Sequence, residues 1–223
     1  MEKRVVIAID GPSSAGKGTV AKIVADKLGF AYMDTGAMYR AVALTLRINK
    51  TDIEDENEIS DVLNNTHIYL YNDNNGNLVV ELNGKNVSNE IRTPEISRFS
   101  SDIATKKSVR DFLLQLQRNF GNNKSIVAEG RDMGTHVFPD AEFKFYIDAS
   151  VQERTKRRFA QLKEAGITVD IEKLKKDIEN RDYQDKNRQI APLHPATNAV
   201  IIDTTNLQID QVVDIILKKT TGV

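Results

Sequence analysis

The chain has 223 residues, 40% hydrophobic and 28% charged, with a formal net charge of −1, as in a soluble domain carrying an insertion or two small domains with a real core. A near-neutral balance argues against bulk binding to nucleic acid or anionic membrane, and no apolar run approaches the ~20 residues of a membrane span. The absence of cysteine excludes disulfides and thiolate metal sites and fits a reducing cytoplasm.

Met1-Glu2-Lys3-Arg4 runs straight into a short apolar stretch, so no signal peptide is expected, and the Asn86-Val87-Ser88 sequon carries no weight. A first strand is predicted over 4–9, ending at Asp10. The loop Gly11-Pro12-Ser13-Ser14-Ala15-Gly16-Lys17-Gly18-Thr19 follows, and then Val20, Ile23, Val24 and Leu28 at helical spacing. Strand, glycine-bounded loop, lysine and helix make the arrangement of a phosphate-binding P-loop. Its backbone N–H groups converge on an anion, the helix N-terminus adds partial positive charge, and Lys17 supplies a mobile ammonium. The alternative is an ordinary strand-to-helix turn, against which the correct context on both sides argues.

A second strand over 30–33 leads to Asp34-Thr35-Gly36-Ala37-Met38-Tyr39-Arg40. Thr35 and Gly36 offer a hydroxyl and an unobstructed N–H, with Arg40 one turn further on; a capped helix start with a surface arginine would look the same. Residues 50–92 break the α/β alternation. A short acidic helix (54–63) precedes Ile68-Tyr69-Leu70-Tyr71, an Asn-rich turn, Leu78-Val79-Val80-Glu81-Leu82 and the tight-turn pair Asn83-Gly84. That pattern predicts a small antiparallel meander inserted on the substrate side. Helices are expected at 94–104, with Pro94 at a first helical position, and at 108–120, ended by Gly121. Further strands are predicted at 125–128, 143–147 and 199–202 and helices at about 170–181 and 207–218. Another helix follows Ile147, opened by a Ser150/Glu153 capping box and closed by Gly166. Asp10, Asp34 and Asp148 stand at strand ends, where ligands of open α/β sheets collect.

The run Ala128-Glu129-Gly130-Arg131-Asp132-Met133-Gly134-Thr135 sets adjacent opposite charges between glycines at a strand end. Arginine suits a phosphate through its planar fork, and a carboxylate can accept a hydrogen bond from the exocyclic amine of cytosine. An internal Arg–Asp pair bracing a turn is the competing reading. Arg154, Arg157 and Arg158 share one helix face, as do Arg181, Asp185 and Arg188 if helical. The span 151–188 holds 11 Lys+Arg against 8 Asp+Glu. Such a face is often merely solvated, but beside a P-loop arginines neutralise a transferred phosphoryl group and, on a closing lid, exclude water. His67, His136 and His194 are scattered without ligand spacing and receive no catalytic role.

In most P-loops Ser or Thr follows the lysine directly; here Gly18 intervenes before Thr19, a form that resembles nucleoside monophosphate kinases rather than GTPases or ATPase motors. Together with Asp-Thr-Gly-Ala-Met-Tyr-Arg (34–40), Glu90-Ile91-Arg92-Thr93, Gly-Arg-Asp-Met-Gly-Thr (130–135) and Arg-Asp-x-x-Asp-x-x-Arg (181–188), the whole chain resembles the bacterial cytidylate kinases. The resemblance implies an α/β P-loop kinase fold in three layers, with a central five-stranded parallel sheet, an inserted small antiparallel β/α module and a helical lid. The core would be 1–35 and 105–223 with the lid at about 150–190, and the acceptor region 36–104 with the meander at about 65–90.

It further implies ATP as phosphoryl donor and CMP or dCMP as acceptor. Magnesium would arrive with the nucleotide rather than on a dedicated metal site, and the enzyme would be a cytoplasmic monomer with no nucleic-acid or membrane partner. Gly11, Pro12, Ser13, Ser14, Ala15, Gly16, Lys17, Gly18 and Thr19 would hold the donor, with Arg157 and Arg158 in the lid region. Thr35, Arg40, Ser101, Arg110, Arg131, Asp132, Arg181, Asp185 and Arg188 would form the acceptor site, and Lys17, Arg131, Arg181, Asp185 and Arg188 would be catalytic. Ser14 departs from the Gly usual in this loop, which brings its backbone conformation into question.

Two rivals remain. A kinase acting on a hydroxyl needs a carboxylate base, for which Asp34 or Asp132 is available. A GTPase-like switch has Asn49-Lys50-Thr51-Asp52 as its guanine motif, but the match follows a helix close behind the P-loop. An Asp-x-x-Gly match, Asp73 to Gly76, lies in the Asn-rich turn rather than at a core strand end.

Overall fold

The computed structural model describes residues 4–73, 78–122 and 124–222. The middle of the predicted Asn-rich turn, 74–77, lies outside them. By its internal contacts the chain divides into two units, Met1–Tyr32 with Gly121–Val223, and Met33–Phe120.

The first unit is built on a five-stranded sheet. Its strands are β1 (Val6–Asp10), β2 (Ala31–Asp34, whose last two residues fall in the second unit), β6 (Ile126–Gly130), β7 (Phe143–Asp148) and β8 (Val200–Asp203), in the order β2-β6-β1-β7-β8. β1 pairs in parallel with β6 on one side and β7 on the other, and β7 with β8. Every residue of β1 is buried, as a central strand covered on both faces requires. Helices α1 (Lys17–Leu28), α6 (Val151–Glu164), α7 (Ile171–Asn187) and α8 (Ile209–Thr221) complete the unit. Chain order reverses on the two sides of β1, so the loop leaving its carboxyl end emerges at a topological switch point.

The second unit holds α2 (Thr35–Ile48), α3 (Glu56–Asn64), α4 (Pro94–Ile103), α5 (Lys107–Phe120) and a separate three-stranded antiparallel sheet. That sheet comprises β3 (Ile68–Asn72), β4 (Leu78–Leu82) and β5 (Lys85–Asn86). Asn83 and Gly84 both take positive φ, 50° and 80°, and join β4 to β5 as predicted. Pro94 opens α4 behind the Thr93 cap, whose hydroxyl accepts the Ile96 N–H. Helix α5, which the sequence reading assigns to the core, groups with this unit through its packing on α3 and α2.

Several boundaries shift for physical reasons. The parallel strands run on to Asp10, Asp148 and Asp203 because ladder pairing continues one residue past the apolar run. The Ser150/Glu153 capping box is only half formed. Ser150 Oγ accepts the Glu153 N–H, but the Glu153 carboxylate accepts from Arg157 Nε, and the Ser150 N–H donates to Thr205 Oγ1. A reciprocal box appears instead at α8, between Gln208 and Gln211. Helix α7 extends beyond Arg181 to Asn187, and Arg188 turns out of it with ψ 146° as its C-cap.

Candidate functional site

The loop between β1 and α1 is shaped by backbone geometry before any side chain acts. Gly11 has φ +147°, and a Cβ there would lie 1.9 Å from the Ile147 carbonyl oxygen, so only glycine passes beneath β7. Ser14 sits at φ +62°, the left-handed region that glycine enters freely and serine at a cost of about 1 kcal/mol or more. The conformation usual for Gly is therefore kept, with serine bearing the strain. Gly16, φ +93°, is the N-cap of α1 and brings no side-chain cap, so the first-turn N–H groups stay open to an anion. At Gly18 a Cβ would meet the Tyr32 hydroxyl at 3.4 Å and Glu129 Oε1 at 3.6 Å, in ordinary van der Waals contact.

Three loop carbonyls are held by cations or hydroxyls. Lys17 Nζ donates to Pro12 O at 2.8 Å. Arg154 Nη1 donates to Ser13 O at 3.2 Å, and Arg157 Nη1 to Ala15 O at 3.3 Å. Thr204 Oγ1 also reaches Ala15 O, at 3.3 Å. In a trans peptide C=O and N–H point in opposite directions, so each held carbonyl turns the next N–H away from its clamp. Burial pushes the Lys17 pKa down to about 7, assisted by the positive charge of Arg131 and opposed by Glu129, Asp10 and Asp185.

The segment after β6 is fixed to the end of β1. Asp10 Oδ1 and Oδ2 accept the N–H groups of Met133 and Gly134 at 2.8 Å each, holding the π-helical turn Met133–Val137 immediately after Arg131 and Asp132. Burial pushes the Asp10 pKa up to about 6, the two N–H bonds offsetting only part of it.

Arg131 is not paired with its neighbour Asp132. Its Nε donates to Asp185 Oδ2 at 2.8 Å, while Arg188 stands 3.6 Å from Asp185 Oδ1 and 3.7 Å from Asp132 Oδ1. Burial alone would raise the Asp185 pKa, but Arg131, Arg181 and Arg188 outweigh it and hold the carboxyl below its usual range. Arg131 is raised in turn: burial opposes its charge, and Asp185, Glu129 and Asp182 together outweigh it. The structure thus gathers Arg131, Arg181 and Arg188 around Asp185, with Asp132 beside Arg188, though Arg188 reaches them from a helix cap rather than a continuous helical face.

In the second unit Asp34, not Thr35, caps α2, accepting the Ala37 N–H at 2.7 Å; Thr35 is buried at the first helical position. Arg40 folds back over the helix start to within 3.4 Å of Asp34 Oδ2, and a Cβ on Gly36 would lie 3.0 Å from its Nη1. Arg110 is buried in α5, donates to Ala104 O at 3.1 Å and lies 5.9 Å from the Tyr39 ring centroid. Ser101 is half-buried in α4. These four residues belong to one unit and the Asp185 cluster to the other.

Arg158 Nη1 donates to Gln161 Oε1 at 2.6 Å. His67 and His194 are exposed and His136 half-buried in the π-helical turn. Among the described residues no group of three or more His, Asp or Glu could hold a metal ion, and no helix is long and apolar enough to cross a membrane. Sequence reasoning did not give Asp10 or Thr204 their bracing roles, nor Asp182 its ion pair with Arg154, 2.6 Å from Nη2 to Oδ2. Asp10 was visible as a strand-end carboxylate, whereas Thr204 and Asp182 carry no local signal.

A family model described as cytidylate kinase matches residues 7–222. Proteins named cytidylate kinase from Lactobacillus gasseri and Thermosipho melanesiensis are 48% and 49% identical over 217 and 212 residues. The matches cover 96% and 95% of this chain and 94% of each relative. An uncharacterized protein from Eubacterium ventriosum shares the fold with TM-score 0.55 at 14% identity, over 99% of this chain and 100% of that one.

Proposed function

We propose that this chain, which belongs to the cytidylate kinase family, transfers the γ-phosphoryl group of ATP to the phosphate of CMP or dCMP, forming ADP and CDP or dCDP. The observation that carries this reading is the convergence of arginines on Asp185. Arg131, Arg181 and Arg188 all act to lower its pKa, a cationic cluster suited to a second phosphate besides the one the P-loop would hold.

In this reading the loop Gly11–Thr19 (11–19) takes the donor's phosphates with its N–H groups and Lys17. Arg131, Asp132, Arg181, Asp185 and Arg188, with Thr35, Arg40, Ser101 and Arg110, take the acceptor. Asp132 offers a carboxylate oxygen to the cytosine amine. A phosphate acceptor has a second pKa of ~6 and is already a dianion at neutral pH, so no side chain need act as base. That favours it over a hydroxyl acceptor, for which Asp34 is engaged as a helix cap. Catalysis then consists of in-line positioning and neutralisation of the equatorial oxygens by Lys17 and the arginines. Lys17, held partly deprotonated by burial, would take up its proton when the donor's phosphates arrive.

The donors near the loop suit magnesium carried by the nucleotide. Asp10 and Asp185 are committed to N–H groups and arginines, while the exposed Thr19 hydroxyl in the first turn of α1 is available as a protein ligand. When bound, the ion would help neutralise the charge that develops during transfer. Arg157 and Arg158 would sit at the root of a lid over about 150–190. The enzyme would act on free nucleotides as a cytoplasmic monomer, without nucleic-acid partners.

A coupled assay with CMP, dCMP, UMP and AMP tests the proposal. Preference for CMP and dCMP is the expected result, and equal turnover of UMP and CMP would overturn it.

A further inference from the structure

Arg154 is only 3% exposed and binds three separate segments. Its Nε donates to Ala149 O at 2.9 Å, its Nη1 to Ser13 O at 3.2 Å, and its Nη2 pairs with Asp182 Oδ2 at 2.6 Å. The guanidinium thereby meets backbone at the start of α6, backbone of the P-loop and a carboxylate on α7. The peptide it holds in the loop is the one that precedes Ser14, the non-glycine residue at φ +62°. A strained residue persists only where its surroundings over-determine it, and the Arg154–Ser13 bond is such a constraint. With the Ser13 carbonyl bound to Arg154, the Ser14 N–H of the same trans peptide points the opposite way.

We propose that Arg154 is a positioning residue for the donor loop. It pins the Ser13–Ser14 peptide so that the Ser14 N–H faces the donor's phosphates, and Asp182 orients it for that task. The proposal rests on the reading of 11–19 as the donor site. It gives Arg154 a part different from that of a mobile arginine touching phosphate, because its guanidinium is engaged by Ala149, Ser13 and Asp182 at once and its side chain is 4% exposed. It also assigns work to Asp182, which follows Arg181 on α7 and makes its ion pair with Arg154, while acting on Arg131 only through its charge at longer range. A carboxylate on the helix that carries Arg181 and Asp185 thus supports the loop at the end of β1.

The discriminating experiment uses the strained serine. Equilibrium binding of ATP, and KM for ATP and CMP with kcat, are measured for the wild type and Asp182→Asn, and for the same substitution made in a Ser14→Gly parent. Glycine enters the left-handed region without being pinned, so the need for the clamp falls. Asp182→Asn is expected to weaken ATP binding about tenfold in the wild-type background and less than about threefold in the Ser14→Gly background. KM for CMP should move by less than about threefold. Thermal unfolding accompanies each variant; Arg154→Lys, which keeps the charge but loses the three-way fork, is read in the same way if Asp182→Asn does not fold. An unchanged ATP affinity in Asp182→Asn, or an equal loss in both backgrounds, overturns the clamp. An equal loss would mean that Arg154 meets the phosphate itself. Failure of the wild type to bind ATP would instead remove the donor-site reading, so the two failures are distinguishable.

Discussion

Asp10 offers a quantitative test of how the site is braced. It is 2% exposed, its two oxygens accept the Met133 and Gly134 N–H groups, and burial raises its pKa from 3.8 to about 6. The native state therefore binds this proton more tightly than the unfolded chain does. The stabilisation that follows is fully present below the unfolded pKa of 3.8 and is lost as pH rises through about 6. A shift of roughly 2 units is worth about 3 kcal/mol in full, of which about 2 kcal/mol falls between pH ~4.5 and ~8. In Asp10→Asn one end of the side chain presents an NH2 to a backbone N–H, a cost of about 1–3 kcal/mol that does not titrate. Urea unfolding of both proteins at the two pH values separates the terms. From pH ~4.5 to ~8 the wild type should lose about 2 kcal/mol relative to the variant. A stability gap that is constant within about 0.5 kcal/mol, or that moves the other way, would refute the assignment of the raised pKa to this buried carboxylate.

Lys17, lowered to about 7, should take up a proton as it gains a phosphate partner. Calorimetric titration with ATP at about pH 8, in buffers of differing ionisation enthalpy, should show uptake approaching one proton, absent in Lys17→Met; no uptake in the wild type would sink the expectation. Gly11→Ala places a methyl 1.9 Å from the Ile147 carbonyl oxygen at φ +147°. It should cost about 3 kcal/mol or more in denaturant unfolding, and a loss below about 1 kcal/mol would contradict the packing. Arg154 and Asp182 tie α6 to α7 near the loop, so lid closure should be felt between them, at the end of α6 and the start of α7. Saturating ATP and CMP should slow proteolysis around 160–172, and an unchanged cleavage rate would count against closure there.

Much of the architecture was readable because it rests on local chemistry. The apolar run before Gly11, the helical spacing after it and the Asn83-Gly84 turn each act over a few residues, so periodicity and turn residues suffice. The departures have long-range causes. Glu153 forgoes the capping box because Arg157 stands one turn on, and Ser150 donates instead to Thr205, 55 positions away in sequence. Helix α7 reaches Asn187 although its surface is highly charged, since Asp182 and Asp185 are buried against arginines from α6 and from the segment after β6.

By itself the sequence determined that a phosphate-gripping loop opens the chain and that arginines follow in a set order, because loop, lysine and motif are contiguous and carry their chemistry in residue type. The tertiary structure decided what each charge does. It turned Arg131 to Asp185 rather than to its neighbour, assigned Asp10 to two backbone N–H groups, and spent Arg154 and Arg157 on loop carbonyls. Those partnerships follow from desolvation: a buried charge must find an opposite charge or a backbone dipole, and which one lies within reach is set by the packing of strands and helices far apart in the chain.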